Sequence, residues 1–288
     1  MSYDLFFKPN SANLTEDQLT QYFADRQNYD VSDGQAFYEN DDTGVYFSFD
    51  FDLKDWAEDE YPIAFELNYF RPHFFGLEAA PEVAVFVNAF NLLIDDPQTD
   101  GMGRGPFSTE GFLRSWNAGN RFGYGILSHN KSLNPQVYPT ADLDHIWHWN
   151  LNRAARQKEV GSSLFVPKFV FVKGSEQAYA AVVWPDACPI CMPKADIVLI
   201  VRDELSSAPN SNGSDEVIIT EWADIERIVT QYPYDSAHGC FLLTYETAPD
   251  ALVQFIRSMP LVPYELEMRV ANDGVLNAEL VAEIMSID

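Results

Sequence analysis

QAFYENDDTGVYFSFDFDL, residues 35–53, is the stretch that sets the fold class. Phe47, Phe49, Phe51 and Leu53 alternate with Ser48, Asp50 and Asp52, the period of two that gives a strand one apolar and one polar face. QAFYEN before it is a second strand. Asp41, Asp42, Thr43 and Gly44 between the two are turn residues, so the pair reads as a hairpin. An alternating strand belongs to an antiparallel sheet with one face on a core and the other toward water.

Working outward, YDLFFK (3–8) and IAFELNYF (63–70) read as further strands. Thr15 and Gln18 are spaced as a capping box, and Leu14 and Leu19 as a hydrophobic staple, for a helix running to about Arg26. Pro81 is placed to open a helix over EVAVFVNAFNLLI, apolar nearly all round and therefore buried. DDPQTDGMGRGP (95–106) is a loop. Helices are expected from Thr109 to about Asn117 and from Asp142 to Val160, the second closed by Gly161 with Arg153, Arg156 and Lys158 near its end. KFVFVKGSEQAYAAVVW reads as a hairpin turning at Lys173–Glu176, ADIVLIV (195–201) as a buried strand, and SSAPNSNGS (206–214) as a loop. VIIT, an amphipathic WADIERIV, CFLLTYE, a helix DALVQFIRSM after Pro249, a strand ELEMRV and a helical LNAELVAEIM follow. Strands and helices mix without βαβ alternation. The expected class is α+β, with mostly antiparallel, meander-like sheets and helices packed on one face. The boundary is placed near Gly161, between a strongly acidic α+β domain over residues 1–160 and a second over 161–288.

The chain has 288 residues, 47% of them hydrophobic, with 21 Phe and 14 Tyr, which is a globular composition. No apolar run approaches the roughly 20 residues of a membrane span, and MSYDLFFKPNSANLTED lacks the basic and apolar regions of a signal peptide. Three cysteines, an odd number, suit a reducing compartment, with the cytoplasm as the default. The net charge of −26 repels nucleic acid and anionic membrane, attracts basic partners, and keeps an aromatic-rich chain soluble.

The candidate chemistry begins at PDACPICMPKAD (185–196). Cys188 and Cys191, with His238 and Cys240 of AHGC, would make a Cys₃His zinc set, although the gap between His238 and Cys240 is shorter than such sites use. A redox pair needs a helix N-terminus at Cys188, and Pro193 leading into a strand removes it. The remaining alternative is a proline-stiffened turn between strands. His145 and His148 share a helix face and could bind a metal with Asp142 or Asp144, but no glutamate is placed as in H-E-x-x-H. Position twelve counted from Asp96 is Phe107, which excludes an EF-hand, and no P-loop, nucleophile elbow or dinucleotide fingerprint is present. No resident cofactor is expected, with zinc as the alternative. Asp50 and Asp52 share a strand face close in sequence to Asp55, Trp56, Glu58, Asp59, Glu60 and Tyr61. These eight are the candidate partner-binding residues: carboxylates for a basic surface and aromatic rings as anchors.

MSYDLFFKP, AFYENDDTGVYFSFDF and VVWPDACPICMPKADIVLIVRDEL resemble bacterial immunity proteins associated with polymorphic toxins. The resemblance covers about two-fifths of the chain in patches. It implies a cytosolic, non-enzymatic α+β protein that neutralises a toxin by binding it. The partner expected on that basis is a basic protein, with neither nucleic acid nor membrane. A metal-dependent enzyme or zinc-stabilised protein is the alternative, built on the cysteine set or on His145 and His148.

Overall fold

The computed structural model describes residues 1–10, 14–54, 56–57, 60–129, 134–175, 177–202, 205, 216–260 and 269–286. In chain order the elements begin with β1 (Ser2–Pro9), α1 (Glu16–Ala24), β2 (Tyr29–Ser32), β3 (Gln35–Asn40), β4 (Val45–Phe51) and β5 (Ile63–Asn68). Next come α2 (Phe74–Phe90), β6 (Leu92–Asp96), β7 (Gly103–Gly105), α3 (Thr109–Tyr124), α4 (Ile126–His129), β8 (Gln136–Tyr138) and α5 (Thr140–Leu151). Then follow α6 (Arg153–Val160), β9 (Phe169–Val172), β10 (Tyr179–Pro185), β11 (Ile190–Pro193), β12 (Ile197–Arg202) and β13 (Glu216–Glu221). The chain ends with α7 (Trp222–Val229), β14 (Tyr234–Asp235), β15 (Cys240–Leu243), α8 (Asp250–Ser258), β16 (Arg269–Val270), β17 (Val275–Asn277) and α9 (Ala278–Met285). This is an α+β fold. The expected loop at 206–214 and most of ELEMRV lie outside the described residues.

The chain divides into two compact units, Met1–Leu143 with Asn272–Asp288, and Asp144–Ala271. The division therefore falls inside α5, where the sequence places it at Gly161, and the C-terminal segment returns to the first unit. The reason is pairing and burial remote in sequence. β17 pairs in parallel with β8, and Leu276 and Ile284 pack in one apolar cluster with Tyr124 and Leu127.

In the first unit a seven-stranded antiparallel sheet has the order β2-β3-β4-β5-β1-β6-β7. The alternation in 45–51 is realised: Val45, Phe47, Phe49 and Phe51 are buried, with Tyr46, Ser48 and Asp50 less so. The inner face is an aromatic core: Phe86 of α2 lies 4.8 Å from Phe49 and 5.2 Å from Phe23 of α1, and Phe112 of α3 meets Tyr3 edge-on at 5.1 Å. The capping box forms, with Thr15 N–H donating to Gln18 Oε1 at 3.0 Å and Gln18 N–H to Thr15 Oγ1 at 3.3 Å.

Three helices differ from expectation. Pro81 does not open α2 but sits inside it; the helix starts seven residues earlier at Phe74 and ends at Phe90. Proline at position 81 removes one backbone donor and crowds the carbonyl four residues earlier, at a cost of roughly 3 kcal/mol. Phe74, Phe75, Ala79 and Ala80 are buried in the core, and their burial outweighs the local signal. Asn91, in the left-handed region with φ 50°, ends the helix, so that Leu92–Asp96 becomes β6 against β1. α3 continues past Asn117 to Tyr124, and the helix expected over 142–160 is two, α5 and α6, broken at Asn152. α2 and α3 approach closely because residue 76 is glycine: a Cβ there would stand 2.7 Å from the Trp116 ring.

Glu78 fixes α2 to the sheet. This buried carboxylate accepts from Tyr38 Oη at 2.9 Å, Asn40 Nδ2 at 2.8 Å and Thr43 Oγ1 at 3.0 Å, all on the β3–β4 hairpin.

The second unit has a five-stranded sheet, β13-β12-β10-β9-β16, and a three-stranded one, β11-β15-β14. The hairpin β9–β10 and the buried run in β12 form as expected. β10 and β12 are parallel, a departure from the meander. The chain between them, residues 186–196, leaves the sheet and contributes β11 to the other one before returning.

Removing Glu78 strands three donors in the core. Glu78→Ala is expected to lower unfolding stability by about 3 kcal/mol or more, because each buried unpaired polar group costs roughly 1–3 kcal/mol. Glu78→Gln, which keeps an acceptor oxygen, loses less. Urea midpoints of the two variants check this.

Candidate functional site

The face of the large sheet opposite the aromatic core collects carboxylates. Alternation turns Tyr3, Leu5 and Phe7 inward, which leaves Asp4 and Phe6 on the other face; in the same way Ile63, Phe65 and Leu67 leave Ala64 and Glu66. The register then decides which of these meet. Asp4 of β1 lies directly opposite Glu66 of β5, and Glu66 lies opposite Ser48 of β4. Asp50, one row along, faces Ala64, and Ala64 faces Phe6. Three acidic side chains from three strands thus share one patch. Phe37 of β3, opposite Ser48 and 38% exposed, extends it with an aromatic ring.

No lysine or arginine among the described residues forms a salt bridge with Asp4, Asp50 or Glu66. Asp50 is held by neutral donors instead, Gln35 Nε2 at 2.7 Å and Ser48 Oγ at 3.5 Å. Like charges directly opposite on a sheet are destabilising, and the ionisation of Glu66 carries the cost. Partial burial raises its pKa above the ordinary carboxylate value, and the neighbouring charges of Asp4 and Asp50 raise it further.

Of the eight expected partner-binding residues, Asp50 takes its place on this face. Asp52 does not: β4 has ended, and its Oδ1 accepts from Lys54 N–H at 3.1 Å in a local turn. Glu60 likewise serves a turn, accepting from Ala57 N–H at 2.8 Å. Tyr61 lies beneath two cations, Lys8 Nζ at 5.2 Å and the Arg104 guanidinium at 5.8 Å from its ring centre. Trp56 is half-buried, and Asp55, Glu58 and Asp59 lie outside the described residues. Asp4 and Glu66 were not singled out from the sequence. The alternation in YDLFFK and IAFELNYF shows the face each occupies, but only strand order makes them neighbours of Asp50.

The cysteine set does not assemble. Cys191, in β11, is joined by a disulfide to Cys240 at the head of β15, with Cα atoms 5.7 Å apart. Two of the four sulfur and nitrogen donors are thereby spent. His238 is engaged elsewhere, with Nδ1 2.6 Å from Asp235 Oδ2 and Nε2 3.3 Å from Glu159 Oε2. That contact holds the Asp235 carboxyl below the usual range. Cys188 is the free thiol, and it alone sits in the expected turn, its N–H donating to Pro185 O at 2.8 Å. Its pKa is pushed up to about 11, first by burial and then by Asp186, so it is a thiol and not a thiolate at neutral pH. His145 and His148 are both exposed on α5, and the His148 ring lies tilted against Trp147 with centroids 4.4 Å apart. Among the described residues no group of three or more His, Cys, Asp or Glu is gathered to hold a metal ion. The odd cysteine count, taken from sequence as a sign of a reducing compartment, becomes one disulfide and one free thiol, and no longer carries that inference.

No helix among the described residues is long and apolar enough to cross a membrane. Compared with family models, with curated proteins and with solved structures, the chain gives no significant match.

Two measurements check the electrostatics and the disulfide. A carboxyl whose pKa is raised by folding favours the folded state when protonated, and that contribution is lost as pH rises through its pKa. Glu66→Gln is therefore expected to raise stability at pH 7 by roughly 0.5 kcal/mol, a figure kept small by solvent screening. The gain should disappear below about pH 4, where the carboxyl is neutral in both states, and shrink in about 1 M salt. Replacing Cys191 and Cys240 together by Ala is expected to cost about 2–4 kcal/mol, and thiol titration of the denatured wild-type protein should find one free thiol per chain.

Proposed function

We propose that this is a non-enzymatic binding protein that takes a basic protein partner on the acidic outer face of its N-terminal sheet. The resemblance to bacterial immunity proteins points to a toxin as that partner and to the cytoplasm as the setting. The single observation that carries the proposal is the Asp4–Glu66 pair: two carboxylates directly opposite one another on adjacent strands, beside Asp50, with no salt bridge to either among the described residues. Such an arrangement works against folding, and cations supplied by a partner would offset it. Violations of a local rule without an internal compensation tend to mark functional surfaces. The net charge of −26 supports the same proposal at long range, because it speeds the approach of a positively charged protein. Phe37 supplies an exposed aromatic anchor next to the carboxylates.

The variant carrying Asp4→Asn, Asp50→Asn and Glu66→Gln tests this against a basic toxin domain by stopped-flow association. Its association rate constant at low ionic strength should fall about tenfold, with a smaller change in dissociation, since rim charges act mainly on the encounter. The wild-type rate should fall as salt is added. An association rate unchanged by the triple substitution overturns the docking face.

A further inference from the structure

Beside the acidic face, at the end of β1 where pairing with β6 has stopped, the first unit holds a cleft of about 760 Å³. Its walls come from four places: the start of β1 with Asp4, Tyr69 just past β5, the loop carrying Asp100, and the side of α3 carrying Ser115, Gly119 and Phe122. That volume falls within the range of small-molecule sites, roughly 300–1,000 Å³, and is larger than one side chain requires.

Two polar atoms of the cleft residues, Asp4 Oδ1 and Ser115 Oγ, are buried and make no hydrogen bond of good geometry among the described residues. Ser115 is 1% exposed. Its hydroxyl lies close enough to Tyr3 to favour ionisation of that phenol, yet it makes no hydrogen bond of acceptable geometry. The Tyr3 hydroxyl is committed to Asp96 Oδ2, at 2.9 Å. Buried acceptors without donors are rare in folded proteins, and each calls for an explanation. The residues that carry them, on a strand and a helix far apart in sequence, line one cleft.

The local field is negative. Asp4 and Asp100 line the cleft against the α-amino group of Met1, and no lysine, arginine or histidine among the described residues does. The Tyr69 phenol is pushed up to about 12 by burial, by Asp4 and by Asp96, which reports the same negative potential. Aromatic surface is also at hand, in Tyr69 and in Phe122, whose ring is 77% exposed at the rim. Glycine at 119 has a steric reason: a Cβ there would collide with the Tyr69 ring and hydroxyl. In the interior of α3 that glycine costs about 1 kcal/mol against alanine, so the packing of Tyr69 on the helix backbone is bought at the expense of helix stability.

We propose that this cleft binds a small organic cation, an alkylammonium or guanidinium group on an apolar stem. The cationic head donates to Asp4 and Ser115, and the stem lies against Tyr69 and Phe122. Carboxylates and aromatic faces are the groups that recognise such cations. The cleft is a second site, distinct from the docking of a basic protein on the outer face, although Asp4 stands at the border of both.

Isothermal titration with spermidine and with agmatine, at about 150 mM salt so that diffuse attraction to the chain is screened, tests the proposal. Saturable one-to-one binding of at least one of them is expected, with 1-butanol as a neutral control giving none. Ser115→Ala is the decisive variant. It leaves the charge unchanged and removes a hydroxyl whose neighbour Tyr3 is already hydrogen-bonded to Asp96, so folding should be kept, while affinity should fall several-fold. Asp4→Asn should lower affinity tenfold or more, and Glu66→Gln, on the outer face alone, less than twofold. Amide shifts at Ser115 and Gly119 in a heteronuclear spectrum should follow the same titration. Absence of saturable binding, or equal losses in Glu66→Gln and Asp4→Asn with none in Ser115→Ala, overturns the cleft as a site. Glu66→Gln and the toxin association measurement read the outer face, and Ser115→Ala reads the cleft, so either can fail alone.

Discussion

Glu78 brings one carboxylate oxygen under donors from Tyr38, Asn40 and Thr43, and this buried junction couples the hairpin to α2. Much of the first unit follows from it. With α2 held against the sheet, its Gly76 admits Trp116 and so sets the distance to α3. α3 in turn fixes the corner after β5, because Asn120 both accepts from Arg71 N–H at 3.1 Å and donates to Arg71 O at 2.8 Å. Tyr69 sits at that corner, and α3 also reaches the C-terminal helix through the bidentate Arg121–Glu283 pair. The helix wall of the cleft is thus tied to this junction through α2, whereas the acidic face is set by the register of β1, β5 and β4.

The two faces of the large sheet are energetic opposites. The inner face is a continuous set of aromatic contacts, where area and ring geometry act together. The outer face concentrates like charge. Of its carboxylates Asp50 receives neutral hydrogen bonds, from Gln35 and Ser48, and Glu66 is exposed to solvent. A cation from the proposed partner would remove the repulsion, which would tie the cost in folding to a gain in binding.

Much of the architecture was legible in local pattern. The alternation of 45–51, the Thr15–Gln18 box and the hairpin from Phe169 to Pro185 are each dictated by neighbours within a few residues, and each appears as expected. The start of α2 was not legible, because Pro81 is a strong local signal and burial of Phe74 and Phe75 is a stronger, non-local one. The parallel pairing of β10 and β12 was hidden for the same reason, since the segment between them pairs in another sheet. The candidate site was half legible: Asp50 could be read, while its neighbours Asp4 and Glu66 come from strands about 46 residues before it and 16 after it.

By itself the sequence determined the α+β class, the strongly negative field and the faces on which individual side chains lie, because periodicity, charge and capping are properties of adjacent residues. Tertiary structure decided which strands became neighbours, and so it decided that Asp4, Glu66 and Asp50 form one patch, that Cys191 joins Cys240 and leaves Cys188 alone, and that the last helix belongs to the first unit. The physical reason is common to all three. Register and burial are settled by the whole core at once, and the free energy of a residue's place depends on partners that its own stretch of chain does not name.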